Sequence, residues 1–384
     1  MIRQHTLLTL FLFLSTFLSS KGQDDRVYEI PFSMEKKLLV FKGKLNGVET
    51  DFAFDTGAAE GIATTNDEKR NGIERQKYSQ RISDGNGKIA NLQSVISKEL
   101  SIGGFTFKNV RATISDMQYL YCMDLYLLGG DVIKQLNWEI DFKKMVLRVS
   151  KERFETNDLM TVIPVKYEYN TPRINLTINE VKFDNVLIDI GFNGVMTIPK
   201  TDKKIKDLLE TKRLQHLLTS KITSSFAAAG MSKPSLTETA LIDSIKINGN
   251  YYHQIPADFK TNTDFKIGLN FFSSICEKLI INNSERKYYL LLKAKNSFIN
   301  SFPISVLLKE GKLKTSSITI ADNPKEDDFV IDEEIKSING KIATDFKSEC
   351  EFLTWYFISV SKWDRLTIEK LNGQKVDVER SPNR

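Results

Sequence analysis

Phe52-Ala53-Phe54-Asp55-Thr56-Gly57-Ala58 decides how the rest of this chain is read. Three apolar residues deliver an acid to a turn, and the glycine two positions on lacks a Cβ, so another backbone can approach closely. The same cadence returns 134 residues later as Leu187-Ile188-Asp189-Ile190-Gly191. Outward from these turns, Glu29-Ile30-Pro31-Phe32 is echoed by Val162-Ile163-Pro164-Val165. Leu100-Ser101-Ile102-Gly103-Gly104 is echoed by Ile245-Lys246-Ile247-Asn248-Gly249, and Leu127-Leu128-Gly129 by Lys266-Ile267-Gly268. Four landmarks in one order, with offsets between 133 and 145 residues, imply two copies of one domain altered by insertions and deletions in loops.

Each copy consists of short β-branched and aromatic runs with near period-two alternation, broken by Asn-Gly and Gly-Gly. Residues 42–45, Asn46-Gly47 and residues 48–54 read as a hairpin leading to Asp55. Helix is expected only over 131–136, 203–218 and 271–279. The copies are therefore mostly β. They span 23–152 and 159–298 and are joined near 152–158.

If the copies pack about a pseudo-two-fold axis, Asp55 and Asp189 face one another. At ~3 Å and an effective dielectric of ~20, two carboxylates repel by roughly 5 kcal/mol, about four pKa units. Such a pair holds one proton near neutral pH, and its titration belongs to the pair.

At these residues the sequence resembles the aspartic proteases of the pepsin and retropepsin group, especially bacterial exported forms with two lobes in one chain. The resemblance spans about residues 27–292. It implies that Asp55 and Asp189 are the catalytic acids, one activating water while the other donates to the scissile carbonyl. It also implies that Thr56, Gly57, Ile190 and Gly191 support the active-site loops. Leu127-Leu128-Gly129 and Lys266-Ile267-Gly268 are similar to the family's hydrophobic-hydrophobic-Gly element, with Lys266 departing at its first position. Residues 82–89, containing Asp84, Gly85, Asn86 and Gly87, fall where the family has its flap, and Phe226-Ala227-Ala228-Ala229-Gly230 is the matching piece of the second copy. The family normally has Thr or Ser after each acid, bonding to the opposite loop. Thr56 can do this, whereas Ile190 cannot.

From about residue 299 the composition changes. Glu334-Ile335-Lys336-Ser337-Ile338-Asn339-Gly340-Lys341 and Leu366-Thr367-Ile368-Glu369-Lys370-Leu371-Asn372-Gly373 resemble a PDZ domain over 299–384. That family captures peptides as an added strand beside a hydrophobic-Gly-hydrophobic loop. Here the loop reads Ser301-Phe302-Pro303-Ile304, and Pro303 removes one N–H. The acidic run over 322–334 lacks the alternation of a calcium loop and reads as solvated.

The whole chain has 384 residues, is 41% hydrophobic and 27% charged, and carries a formal net charge of +5, which excludes disordered and collagen-like classes. No basic block supports nucleic-acid binding. Arg3 and His5 precede an apolar run over 7–18, and Ser20 and Gly22 sit two apart before Gln23. Residues 1–22 thus read as a signal peptide, giving an exported, periplasmic or secreted protein with no later membrane span. Cys122, Cys276 and Cys350 leave at least one thiol unpaired in any intramolecular scheme, and their apolar neighbours suggest small core residues. No local motif couples a cysteine to His216 or His253.

The expectation is a monomeric, cofactor-free and metal-free endopeptidase acting on peptide or protein substrates. The alternative is a binding protein that kept the cleft, lost turnover because of Ile190, and docks ligands through its tail.

Overall fold

Strand Val40–Leu45 reverses into Val48–Phe54 through Asn46 (φ 49°) and Gly47 (φ 84°), both in the left-handed region that a tight hairpin requires. This computed structural model describes residues 26–211, 214, 217–298, 301–320 and 329–380. Residues 1–22, His216 and most of the 322–334 run lie outside the described residues.

The chain is mainly β and the duplication is topological. In the first lobe Val48–Phe54 runs parallel to Tyr126–Leu128, which is antiparallel to Gly61–Ala63, which in turn is parallel to Phe105–Ile114. In the second, Val181–Asp189 runs parallel to Lys266–Gly268, that strand is antiparallel to Met196–Pro199, and Met196–Pro199 is parallel to Asn250–Lys260. Each lobe then curls on itself. Leu45 pairs with Leu100 in the first and Ile178 with Ile245 in the second, so that each sheet closes toward a barrel.

A six-stranded antiparallel floor joins the lobes. Its order is Thr161–Pro164, Lys287–Leu292, Cys276–Asn282, Asn137–Asp141, Val146–Ser150, Tyr28–Ser33. Equivalent strands meet at its centre, where Ile140 lies opposite Leu279, and the echoed Ile-Pro segments form its two edges. One hydrophobic cluster runs through both lobes and includes Phe52, Phe54, Trp138, Ile188, Ile190 and Phe272. Each such side chain contributes roughly 1.5–3 kcal/mol on burial. Trp138 packs edge-on to Phe54 at 5.0 Å and donates its indole N–H to Ile133 O (2.8 Å). The strand ends that carry the two acids therefore rest on a rigid base.

The tail has a core of its own, with Val306, Leu313, Ile338, Phe352 and Leu366 buried. It comprises strands Ile304–Lys309, Lys312–Ile320, Glu334–Ile338 and Lys341–Ile342, helix Glu349–Val360, and strands Arg365–Lys370 and Lys375–Glu379. It is attached to both lobes. Lys312–Ile320 pairs with Leu217–Thr223 of the second lobe, and a Cys122–Cys350 disulfide ties it to the first.

Several expectations are corrected. The helix expected over 203–218 stops at Glu210, and Leu217–Thr223 is a strand flanked by Ser235–Ile247 and the tail. Ladders on both edges outweigh a weak helical pattern there. The helix expected over 271–279 is Leu269–Ile275, because Cys276–Asn282 completes the floor. That over 131–136 shortens to Gly130–Ile133. Helix Thr65–Asn71 was not anticipated, although Thr64 and Asp67 form a capping box. Helix Glu349–Val360, capped by Ser348, was also unforeseen. Cys122 and Cys350 are a disulfide rather than separate core residues. Cys276 is the buried free thiol, donating to Phe272 O (2.8 Å). His253 is exposed and stacks on Tyr251.

Candidate active site

Both acids sit where a central strand runs out. Asp55 follows Val48–Phe54 and Asp189 ends Val181–Asp189, and each is more than 90% buried. Gly57 N–H and Ala58 N–H donate to Oδ1 of Asp55 (2.7 and 3.1 Å), fixing the carboxyl above its own turn.

The two turns interlock. A Cβ on Gly57 would run into the Asp189 carboxyl, and one on Gly191 would run into that of Asp55. Only glycine admits so close a crossing. Thr56 Oγ1 donates to Ile188 O (2.7 Å) and accepts from Ile190 N–H (3.0 Å), two buried bonds from the first loop into the second. The reciprocal pair is missing because Ile190, fully buried, has only hydrocarbon to offer.

The hydrophobic-Gly elements brace both turns from below. Gly130 N–H donates to Ala58 O (2.8 Å), and in the second lobe Leu269 N–H donates to Phe192 O (2.7 Å). Lys266 lies in that second brace, on a three-residue strand with no exposed position. Its Nζ donates to Asp189 Oδ2 at 2.9 Å and rests 4.5 Å from the centroid of the Phe192 ring. A charge in such a strand must find a counter-charge, and that was the signal in the sequence. The departure at Lys266 was visible, its partner was not.

Burial and then repulsion from Asp189 push the Asp55 carboxyl up to about 8, against the opposing pull of the Gly57 and Ala58 N–H groups and of Lys266. For Lys266, burial works against the charged form, yet attraction and hydrogen bonding to Asp189, with further attraction to Asp55, outweigh it and hold the ammonium above its ordinary value. The site therefore sets two carboxyl groups beside one ammonium, with the Asp55 carboxyl pushed toward its protonated form.

The hairpin between Glu74–Ser83 and Ile89–Ile102 carries its tip over this site. Asp84 Oδ1 accepts from Asn86 N–H (3.0 Å) and Lys88 N–H (2.9 Å), and Gly85 lies against Lys266 Nζ. Asn86 and Gly87 complete the tip, Gly87 N–H donating to Asp84 O (2.8 Å). The second hairpin, Phe226–Ala227 with Gly230–Met231, meets the first. Ala229 N–H donates to Asp84 Oδ2 (3.1 Å), Ser225 Oγ to Asn86 Oδ1 (2.6 Å) and Lys88 Nζ to Ala229 O (2.9 Å). The two tips thus form a latched roof.

Beneath the roof lies a cavity of about 1290 Å³ that contains both acids. It continues to the tail, where Ile304, Val306, Leu307 and Tyr356 line it. Strand Ile304–Lys309 there has one ladder partner, Lys312–Ile320, among the described residues. No group of three or more metal-ligating side chains occurs among the described residues. No helix among them is long and apolar enough to cross a membrane.

Residues 41–135 match the model of the family described as "gag-polyprotein putative aspartyl protease". This stretch belongs to the first lobe and includes Asp55, Thr56 and Gly57. Among solved structures, a retropepsin-like aspartic protease from Rickettsia conorii is 22% identical, over 32% of this chain and 90% of that one, with a TM-score of 0.25. No curated protein matches. The similarity to an aspartyl protease thus rests on the first lobe's sequence, and the second lobe enters through its repeated topology.

Proposed function

We propose that this chain is an exported aspartic endopeptidase in which Asp55 and Asp189 share one proton and activate water against a peptide bond in the cleft between the lobes. The observation that carries the reading is the interlocked pair of acid turns, one from each topological copy, opening into one roofed cavity.

Asp55, neutral at pH 7, donates its proton to the scissile carbonyl oxygen. Asp189, paired with the Lys266 ammonium, takes a proton from the attacking water, and a tetrahedral intermediate forms without a covalent bond to the enzyme. Collapse returns a proton to the leaving amine. The acids supply the chemistry, so no metal or organic cofactor enters it. Both belong to one chain, so the monomer is the working unit.

The pH dependence follows from Asp55. Its acid role needs the protonated form, which is lost as pH rises through about 8, so cleavage falls above that value.

The latched tips cover the site, and their parting would admit substrate. The long cavity suits an extended polypeptide, and the resemblance of the tail to a PDZ domain fits contact with part of that polypeptide along Ile304–Lys309. Pro303 lacks an N–H and uses its carbonyl to accept from Thr319 N–H, so carboxylate capture at this loop is weak. The Cys122–Cys350 disulfide favours an oxidising compartment, in keeping with export.

Ile190 and the Lys266–Asp189 ion pair favour the second reading, a peptide-binding protein without turnover. A protein-digestion assay over a pH series, with and without a statine-type inhibitor, separates the two. Inhibitor-sensitive cleavage supports the peptidase. Peptide binding with no product at any pH supports the binding protein.

A further inference from the structure

Lys266 is buried beside the acid pair, and its ammonium is ion-paired with Asp189. It is 9% exposed, comes from the brace beneath the second turn, and spends a hydrogen bond on one carboxylate only. Its structural counterpart in the first lobe is Leu127, which stands opposite Ala53 as Lys266 stands opposite Leu187. The leucine gives Asp55 nothing, so the pair that looks symmetric in backbone is asymmetric in charge.

We propose that Lys266 is a positioning residue that divides labour within the acid pair, holding Asp189 as the carboxylate and leaving the single proton to Asp55. This rests on the peptidase reading above.

The charge count shows why. Two ionised carboxylates alone carry −2, a costly total for a buried site, and one proton brings them only to −1. With the ammonium present, the singly protonated pair is neutral, so that state is favoured over both neighbours. The ammonium touches Asp189, so the proton is driven to the acid it does not touch.

Other groups around Lys266 do not substitute for it. Asp264, just upstream, attracts it more weakly than either site acid. Lys260, on strand Asn250–Lys260 beyond Met196–Pro199, has the same sign. Asp84 of the roof is committed to three backbone N–H groups, and Arg173, which lines the same cavity, reaches back to Asn185 O (3.4 Å). The Phe192 ring, 4.5 Å from the Lys266 ammonium, adds a cation–π attraction that favours its charged form.

The test measures kcat/KM against pH for the wild type, Lys266→Met, Lys266→Gln and Lys266→Arg, beside ¹³C NMR titration of the Asp55 and Asp189 carboxyl carbons in the same proteins. Methionine matches the apolar counterpart Leu127, and glutamine is a second neutral choice should methionine misfold, which thermal melting would reveal. Removing the cation should raise both titration steps of the pair, with the acid limb of the rate profile moving up by about one to three pH units. Arginine should keep both steps near their wild-type values. Unmoved carboxyl titrations in folded neutral variants would overturn the proposal. If the wild type cleaves nothing while the carboxyl steps still move, the peptidase reading falls and the hold of Lys266 on the pair stands.

Discussion

The two halves of the site share a backbone and differ in chemistry. In the first, Asp55 is followed by a hydroxyl that reaches across, and its brace presents Leu127. In the second, Asp189 is followed by the hydrocarbon of Ile190, and its brace presents Lys266. The strand order around each acid is nonetheless the same, parallel, antiparallel, parallel. Duplication therefore preserved the elements that place a carboxyl and left free those that set its charge. The first half supplies the grip between loops, and the second supplies the cation.

The strongest way to break this comparison is to remove each acid in turn. Asp55→Asn and Asp189→Asn should each lower kcat/KM by roughly 10²- to 10⁴-fold, the span of a lost proton-transfer group. Each should leave the thermal melt close to wild type, since asparagine keeps the shape. If one variant kept its activity, the halves would not be partners in one reaction.

The halves are also unlike in how they hold the tail. The second lobe shares a ladder with it, where Ile222 lies opposite Ile318, while the first uses the disulfide, the Tyr119–Phe357 ring contact and a bond from Thr354 Oγ1 to Cys122 O (3.3 Å). The disulfide closes a loop of 228 residues. The double variant Cys122→Ser/Cys350→Ser should lose about 2–4 kcal/mol of stability in denaturant titration. Hydrogen exchange should then rise in helix Gln118–Met123 and helix Glu349–Val360 but not in Leu217–Thr223. Uniform exchange changes would mean that the two attachments act as one.

A smaller effect sharpens the comparison at the loops themselves. Thr56→Val keeps the shape and deletes a hydroxyl that satisfies both Ile190 N–H and Ile188 O. Leaving those groups buried without partners should cost about 1–3 kcal/mol in a melt. It should also loosen the acid pair, seen as a lower kcat with KM little changed.

How much of this was legible follows from the range of each interaction. The acid turns, the Asn46-Gly47 hairpin and the Asp84–Gly87 tip announce themselves because turn chemistry is local and the repeat spacing does the rest. The strand Leu217–Thr223 was hidden because its identity comes from partners on both sides, not from its own pattern. The link between Cys122 and Cys350 joins positions in different units, and cysteine count alone does not give connectivity. Lys266 was seen as an exception and not as a partner, since its carboxylate lies 77 residues away along the chain. The meeting of the two roof tips, Asp84 with Ala229, is invisible for the same reason.

The gentlest test restores what the second half lacks. Ile190→Thr would place a hydroxyl where, by the pseudo-two-fold relation, the Phe54 carbonyl and the Thr56 N–H are its counterparts. Two neutral bonds contribute about 0.5–1.5 kcal/mol each, while the lost apolar volume in a fully buried place costs about 1 kcal/mol or somewhat more. The terms nearly cancel, so the melt should shift by less than about 1 kcal/mol in either direction. The informative readout is the cleavage rate, which should rise modestly if the missing half of the grip lets the Asp189 loop wander. An unchanged rate would mean that Lys266, together with Thr56, already fixes that loop, and that the cation has taken over the positioning that the hydroxyl performs in the other half. A loss above 2 kcal/mol would instead show that the apolar packing of Ile190 holds the second turn in place, and that the asymmetry is a requirement of the core and not a relaxed constraint.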